Sequence, residues 1–223
     1  MSARDAVSEE AKKALETLCG NYWYPLYAFL RRSGNPSRDA ENLTREFFSG
    51  LLQNEGLALP ERGHGRFRTF LIMALKRFLA KEGDRSTQNE KGLQLAPLDL
   101  HEAEARYLAD PAISWPAEAL YERRWALALL DQTMTRLRGE YENGGRADDF
   151  SRLKEYLTAE RGAIPYAKIA REIGTSEGAA RVAVHRLQKR FRALFHAVVA
   201  DTVFAAEEVE AEVRYVVELL GRL

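Results

Sequence analysis

Apolar residues in this chain recur at intervals of three and four, and no sustained run alternates at two. A period near 3.6 gathers every third or fourth side chain on one helix face, whereas a half-buried strand needs a period of two. That regularity predicts an all-α protein without strands. With 46% hydrophobic residues among 223, the chain can bury one large helical core or two small ones, which argues against disorder throughout.

Glycines and prolines divide the pattern into helices. The first runs from about Ser8 to Arg32 and stops at Ser33-Gly34-Asn35-Pro36, since proline is tolerated only in a first helical turn. The second spans about Pro36 to Leu52, with Ala40, Leu43, Phe47 and Leu51 inward and Asp39, Asn42, Arg45, Glu46 and Ser49 turned elsewhere. Three glycines and a proline make Gln53 to Gly65 a loop. A helix then runs from Arg66 to about Asp84, with Phe67, Leu71, Ala74 and Phe78 as its core stripe. Arg85 to Pro116 lacks sustained periodicity and suits an interdomain linker holding at most one short helix.

The pattern returns in a helix from Ala117 to about Tyr141, breaks at Asn143-Gly144-Gly145, and resumes from about Arg146 to Ala159. A short helix follows, opened by Ile164-Pro165-Tyr166 and closed by Gly174; the next starts at Thr175-Ser176-Glu177 and runs past Phe195. Ala206, Val209, Val213, Val216 and Leu220 form one stripe of an amphipathic terminal helix, while Glu207, Glu208, Glu210 and Glu212 read as its solvated face. The expected organisation is a domain over 1–92, a linker over 93–116, a second domain over 117–200 and a helical extension over 201–223.

Charge sums to zero, with 33 basic and 33 acidic residues, but it is not evenly spread. Arg161 to Arg192 and Arg66 to Lys91 are basic, whereas Asp99 to Glu122 and Glu207 to Glu218 are acidic. Two basic surfaces joined by an acidic connector suggest two separate contacts with a polyanion. No uninterrupted apolar run reaches membrane-spanning length, and Met1 to Lys13 lacks the apolar stretch of a secretory signal, so a cytoplasmic protein without a membrane partner is expected. The single cysteine, Cys19, cannot form an internal disulfide and reads as a buried thiol.

The densest signal lies between Tyr166 and Lys189. A helix-turn-helix needs Ile169, Ala170 and Ile173 to pack inward, and Gly174 for a left-handed turn. Ser176 can then cap the second helix, leaving Glu177, Gly178, Ala180 and Arg181 near the end such motifs insert into the major groove. Val182 and Leu187 are expected to pack back on the domain. Arg181 and His185, four residues apart, share a face suited to base edges, while Arg186, Lys189, Arg190 and Arg192 suit phosphates.

The helix from Arg66 to Arg85 mixes cations with Phe67, Phe70 and Phe78. Rings that stack on bases, beside cations that pair with phosphates, mark a surface for unstacked single strands; Phe67 and Phe78 belong to the core by spacing, leaving Phe70 nearer the surface. Arg66, Arg68, Lys76, Arg77 and Lys81 are its candidate contacts. No catalytic residues, cofactor site or metal site emerge: Gly63-His64-Gly65 lacks the strand and spacing of a phosphate loop, and His64, His101, His185 and His196 form no ligand pair.

Asp39-Ala40-Glu41-Asn42-Leu43-Thr44-Arg45-Glu46-Phe47-Phe48, followed by Gly65-Arg66-Phe67-Arg68-Thr69-Phe70-Leu71, resembles domain 2 of extracytoplasmic-function sigma factors, and Tyr166 to Leu187 resembles their domain 4. The two matches occur in family order. The resemblance implies a non-catalytic subunit that brings core RNA polymerase to promoter DNA. Asn42, Arg45 and Glu46 would then meet the polymerase clamp, the loop ending at Gly65 and the helix after it would melt and hold the minus-ten element by capturing an unstacked base, and domain 4 would read the minus-thirty-five element as duplex. An anti-sigma factor is a further candidate partner. The sequence departs from the family pattern at Arg45, where glutamine is usual, at Arg77, where many members carry asparagine, in the longer approach to domain 4 over Asn143 to Thr158, and in the helix after Asp201. The competing readings are a helix-turn-helix regulator acting without polymerase, and a decayed sigma fold that titrates an anti-sigma partner.

Overall fold

The computed structural model describes residues 20–53, 65–82, 100–159 and 161–221, and these residues fold as α-helices with short 3-10 turns. No strand occurs among them; an isolated antiparallel bridge joins Arg66 and Val203. The helices are α1 (described from 20 to 32), α2 (Ser37–Gln53), α3 (Phe67–Glu82), α4 (Leu100–Leu108), α5 (Ala117–Asn143), α6 (Ala147–Leu153), α7 (Tyr166–Glu172), α8 (Glu177–Ala200) and α9 (Val209–Gly221). Cys19 and most of the loop before Gly65 lie outside the described residues. No described helix is long and apolar enough to cross a membrane.

The chain divides into two compact units, one drawn from Met1–Ala128 and Thr202–Leu223, the other Leu129–Asp201. The division falls inside α5 rather than within 93–116, and the C-terminal extension belongs to the first unit. Apolar burial explains the shift. In the expected linker, α4 buries Ala103 and Tyr107, and Asp110 beyond it is 3% exposed. Glu104 accepts from Arg31 Nη2 at 2.6 Å and Nε at 2.8 Å, and from the Tyr27 hydroxyl at 2.5 Å. A segment so anchored is part of a core, although its sequence has too few periodic turns to announce it.

The first unit's core is aromatic. Tyr22 stacks on Trp125 with centroids 3.9 Å apart, and Phe67 meets both rings at 6.0 Å, an arrangement worth more than the buried area alone. On α2, Ala40, Phe47 and Leu51 are buried as expected, Leu43 is half-buried, and Thr44 and Phe48 join the core. Ser49, expected to turn away, is 5% exposed: it follows Phe47 and Phe48 on a helix whose buried arc is wider than a narrow stripe. On α3, Phe67, Leu71 and Leu75 are fully packed, and Phe78 is half-buried against Phe47 at 5.9 Å.

The second unit packs Leu137, Phe150, Leu153, Ile169, Val184 and Leu187 into one cluster. The break after α5 is made by Gly145 at φ +66°. The helix expected from Arg146 to Ala159 is shorter, because α6 ends at Leu153 and tightens into a 3-10 turn over Lys154–Tyr156.

Candidate nucleic-acid interface

In the second unit, α7 and α8 form a helix-turn-helix. Ile169 is fully buried, Ala170 is 6% exposed, and Ile173 packs against the same cluster. Gly174 takes φ +66°, where a residue with a Cβ is strained. The turn is closed by Ile173 N-H donating to Ile169 O at 3.0 Å and Thr175 N-H donating to Ala170 O at 2.8 Å. Ser176 is extended at φ −79°, ψ 158°, and its side chain accepts from Ala179 N-H at 3.2 Å. The cap leaves other first-turn N-H groups pointing outward, with the positive end of the helix dipole behind them.

The exposed side of α8 carries Glu177, Gly178, Arg181, His185, Arg186 and Lys189, with Ser176 exposed beside them. The opposite side buries Val184, Leu187, Leu194 and Phe195, and also Ala180, which was expected at the groove-facing end but lies one turn before Val184 on the buried stripe. The Arg181 guanidinium lies 4.8 Å above the Tyr166 ring and 3.6 Å from Glu177, so it is oriented from both helices of the motif. Val182, expected to pack inward, is instead 47% exposed. It stands two positions from both Ala180 and Val184, about 200° around the helix and outside their arc. Together with Gly178 and Arg186 it walls a groove of about 370 Å³ against Tyr141, Arg146 and Asp149. Sequence reasoning missed Tyr166 and Val182 as surface-forming residues; the aromatic opening α7 right after Pro165 was a usable signal for the first.

The cations beyond the turn are not equivalent. Arg190 donates from Nε to Glu140 Oε2 at 2.7 Å and pairs with the other oxygen as well, and these bonds hold the Glu140 carboxyl below the usual carboxylate range. Arg186, Lys189 and Arg192 remain exposed.

In the first unit the residues proposed for a single strand separate into two groups. Arg77 and Lys81 are exposed on α3, and no ion pair engages them among the described residues. Lys76 is exposed and pairs with Glu118 at 2.8 Å. Phe70 is half-buried, its ring 6.1 Å from Phe67. Arg68 is different. It is 6% exposed, donating to Glu212 Oε1 at 2.7 Å and Glu122 Oε1 at 2.8 Å, with its guanidinium 4.1 Å from the Tyr215 ring. As the structure stands, it contributes to the core of the unit rather than to an open face. Burial works against its charge, but the hydrogen bond to Glu212 and the carboxylates' attraction outweigh it and raise its pKa. Arg66 pairs with Glu212 at 2.9 Å and keeps a third of its side chain exposed.

Glu212, expected on a solvated face, is fully buried. The helical stripe misses it because two arginines from α3 and the residue before it supply the compensation that an apolar neighbourhood would not. On α2, Asn42 and Glu46 are exposed one turn apart, and Arg45 is half-buried and bonded to Glu41 at 2.8 Å.

Among the described residues no group of His, Cys, Asp or Glu is placed to hold a metal ion. No protein-family model, curated protein or solved structure matches this chain.

Proposed function

We propose that the chain is a sigma factor of the extracytoplasmic-function type, a cytosolic subunit that carries core RNA polymerase to promoters and assists strand opening. The observation that carries the reading is the α7–α8 motif: a left-handed Gly174, a Ser176 cap and an outward face of Glu177, Gly178, Arg181, His185, Arg186 and Lys189. A helix so presented fits the major groove, where Arg181 and His185 reach base edges and Arg186 and Lys189 meet phosphates. The exposed pair Asn42 and Glu46 on α2 supports the polymerase-docking half, and Arg77 and Lys81 on α3 support a contact with the opened strand.

One observation favours the second reading, a regulator that binds duplex DNA without polymerase. Arg68 is buried, and Arg66 and Lys76 are already paired, which leaves the strand-binding face fewer open cations than the sequence suggested. Co-purification with core polymerase, followed by transcription from melted and unmelted templates, separates the two. A sigma factor binds the core enzyme and starts transcripts from duplex promoters. A regulator binds the duplex alone, and that result would overturn the proposal.

A further inference from the structure

We infer that the C-terminal segment from Thr202 to Gly221 is a nucleotide-mimicking cap on the amino end of α3, which must move aside before a single strand can use Arg66 and Arg68. This inference rests on the reading of α3 as a strand-binding helix and adds its regulation.

The chemistry around Arg68 is that of an arginine bound to a nucleotide. Carboxylate oxygens of Glu212 and Glu122 sit on the guanidinium edge at 2.7 and 2.8 Å, where phosphate oxygens would sit, and the Tyr215 ring lies 4.1 Å from its central carbon, where a base would stack. Glu212 also takes Arg66 at 2.9 Å. The Tyr215 hydroxyl in turn donates to Glu122. Charge complementarity extends along the segment: between residues 207 and 221 it carries Glu207, Glu208, Glu210, Glu212 and Glu218 against Arg214 alone, whereas α3 has its acid only at Glu82.

The attachment is built for exchange as well as for fit. Two backbone hydrogen bonds hold the segment beside α3, Phe67 N-H to Thr202 O at 2.9 Å and Phe204 N-H to Gly65 O at 3.2 Å. Within α9 the buried residues are Val209, Glu212 and Val216, and Val217 is 54% exposed. A buried ion pair gains little over its separately hydrated partners, yet leaving one partner buried alone is costly. A phosphate backbone entering as the cap leaves supplies new acceptors for both guanidiniums, so neither arginine is stranded.

The same backbone geometry provides the test. Because the two hydrogen bonds flank the bridge, Arg66 and Val203 form a non-hydrogen-bonded antiparallel pair, whose Cα atoms lie about 4.5 Å apart in such pairs and can accept a disulfide. The full chain carrying Arg66→Cys and Val203→Cys on a Cys19→Ser background is titrated with a fluorescent single-stranded oligodeoxynucleotide, oxidised and then reduced. The reduced protein is expected to bind about tenfold more tightly than the oxidised one, the factor set by the uncapped fraction. Full-length Glu212→Gln, confirmed folded by circular dichroism, is expected to bind the strand more tightly than the parent. Equal affinity in the oxidised and reduced states would overturn the cap. Adding Arg77→Ala and Lys81→Ala to the reduced protein separates the two ideas: if they weaken strand binding while the disulfide has no effect, α3 binds strands and the cap is wrong. If they too change nothing, the strand-binding reading of α3 fails and takes the cap with it.

Discussion

Arg190 grips Glu140 through both carboxylate oxygens, Nε reaching Oε2 at 2.7 Å, so two neighbouring cations on α8 have different employments. Lys189 is exposed, whereas Arg190 ties α8 to α5 within the second unit. Lys189→Ala should weaken binding to all duplex sequences alike and reduce the salt slope by about one. Arg190→Ala should leave the slope nearly unchanged. Titrations at several salt concentrations distinguish them, and an equal change for both would show that Glu140 releases Arg190 to the phosphates.

Arg181 is steadied by Tyr166 and Glu177, and His185 lies one turn further along the same face. Replacing either by alanine should relax preference at particular base pairs by about 1 to 3 kcal/mol for each good contact. Selection from a randomised duplex pool reads this directly. A uniform loss across all positions would reassign these residues to phosphates.

Gly174 has φ +66°, and nothing lies within 4 Å of where a Cβ would be. Gly174→Ala therefore costs backbone strain without a clash, about 1 to 2 kcal/mol, and Gly174→Asn should cost less because asparagine tolerates the left-handed region. Urea unfolding gives the ranking. An alanine variant as stable as the parent would mean that the turn relaxes out of this conformation.

Arg68→Ala should destabilise the first unit by about 1.5 to 3 kcal/mol, since it removes charge-assisted hydrogen bonds to the buried Glu212, which keeps Arg66 as its remaining partner. Arg77→Ala, on an exposed side chain, should change stability by under about 0.5 kcal/mol while reducing single-strand binding. Thermal melts beside strand titrations check the pair. Similar stability in both would contradict a core role for Arg68.

Acid should loosen the first unit partly through Glu104. The Arg31 hydrogen bonds hold its carboxyl below the usual range, so the folded state favours the ionised form. Its contribution is fully present above the unfolded glutamate value of about 4.3 and is lost as pH falls through the lower, folded value. Glu104→Gln should therefore lower stability at neutral pH and flatten the decline below about pH 4.3. An acid limb as steep as the parent's would assign the decline to other carboxylates.

The helix-turn-helix was legible because its determinants are local: the Gly174 turn, the Ser176 cap and the apolar positions Ile169, Ala170, Ile173 and Leu187 all act within about two dozen residues of chain. Val182 was misassigned because its apolar character was weighed above its spacing, two positions from Ala180 and Val184, which puts it off the buried stripe. Ser49 and Glu212 were misassigned for the converse reason, since polar residues read as outward until a partner brings their burial into balance.

The sequence by itself determined that the chain is helical, where most helices begin and end, and which short segment presents a capped, basic helix. Those properties follow from backbone conformation and apolar spacing, which each few turns of chain settle alone. Only the tertiary structure decided that residues 100 to 128 and the C-terminal segment join the first unit, and that Arg66 and Arg68 meet a carboxylate more than 140 residues away. A charge looks the same in the sequence whether water or a buried partner neutralises it; long-range packing chooses between them, and no local rule carries that choice.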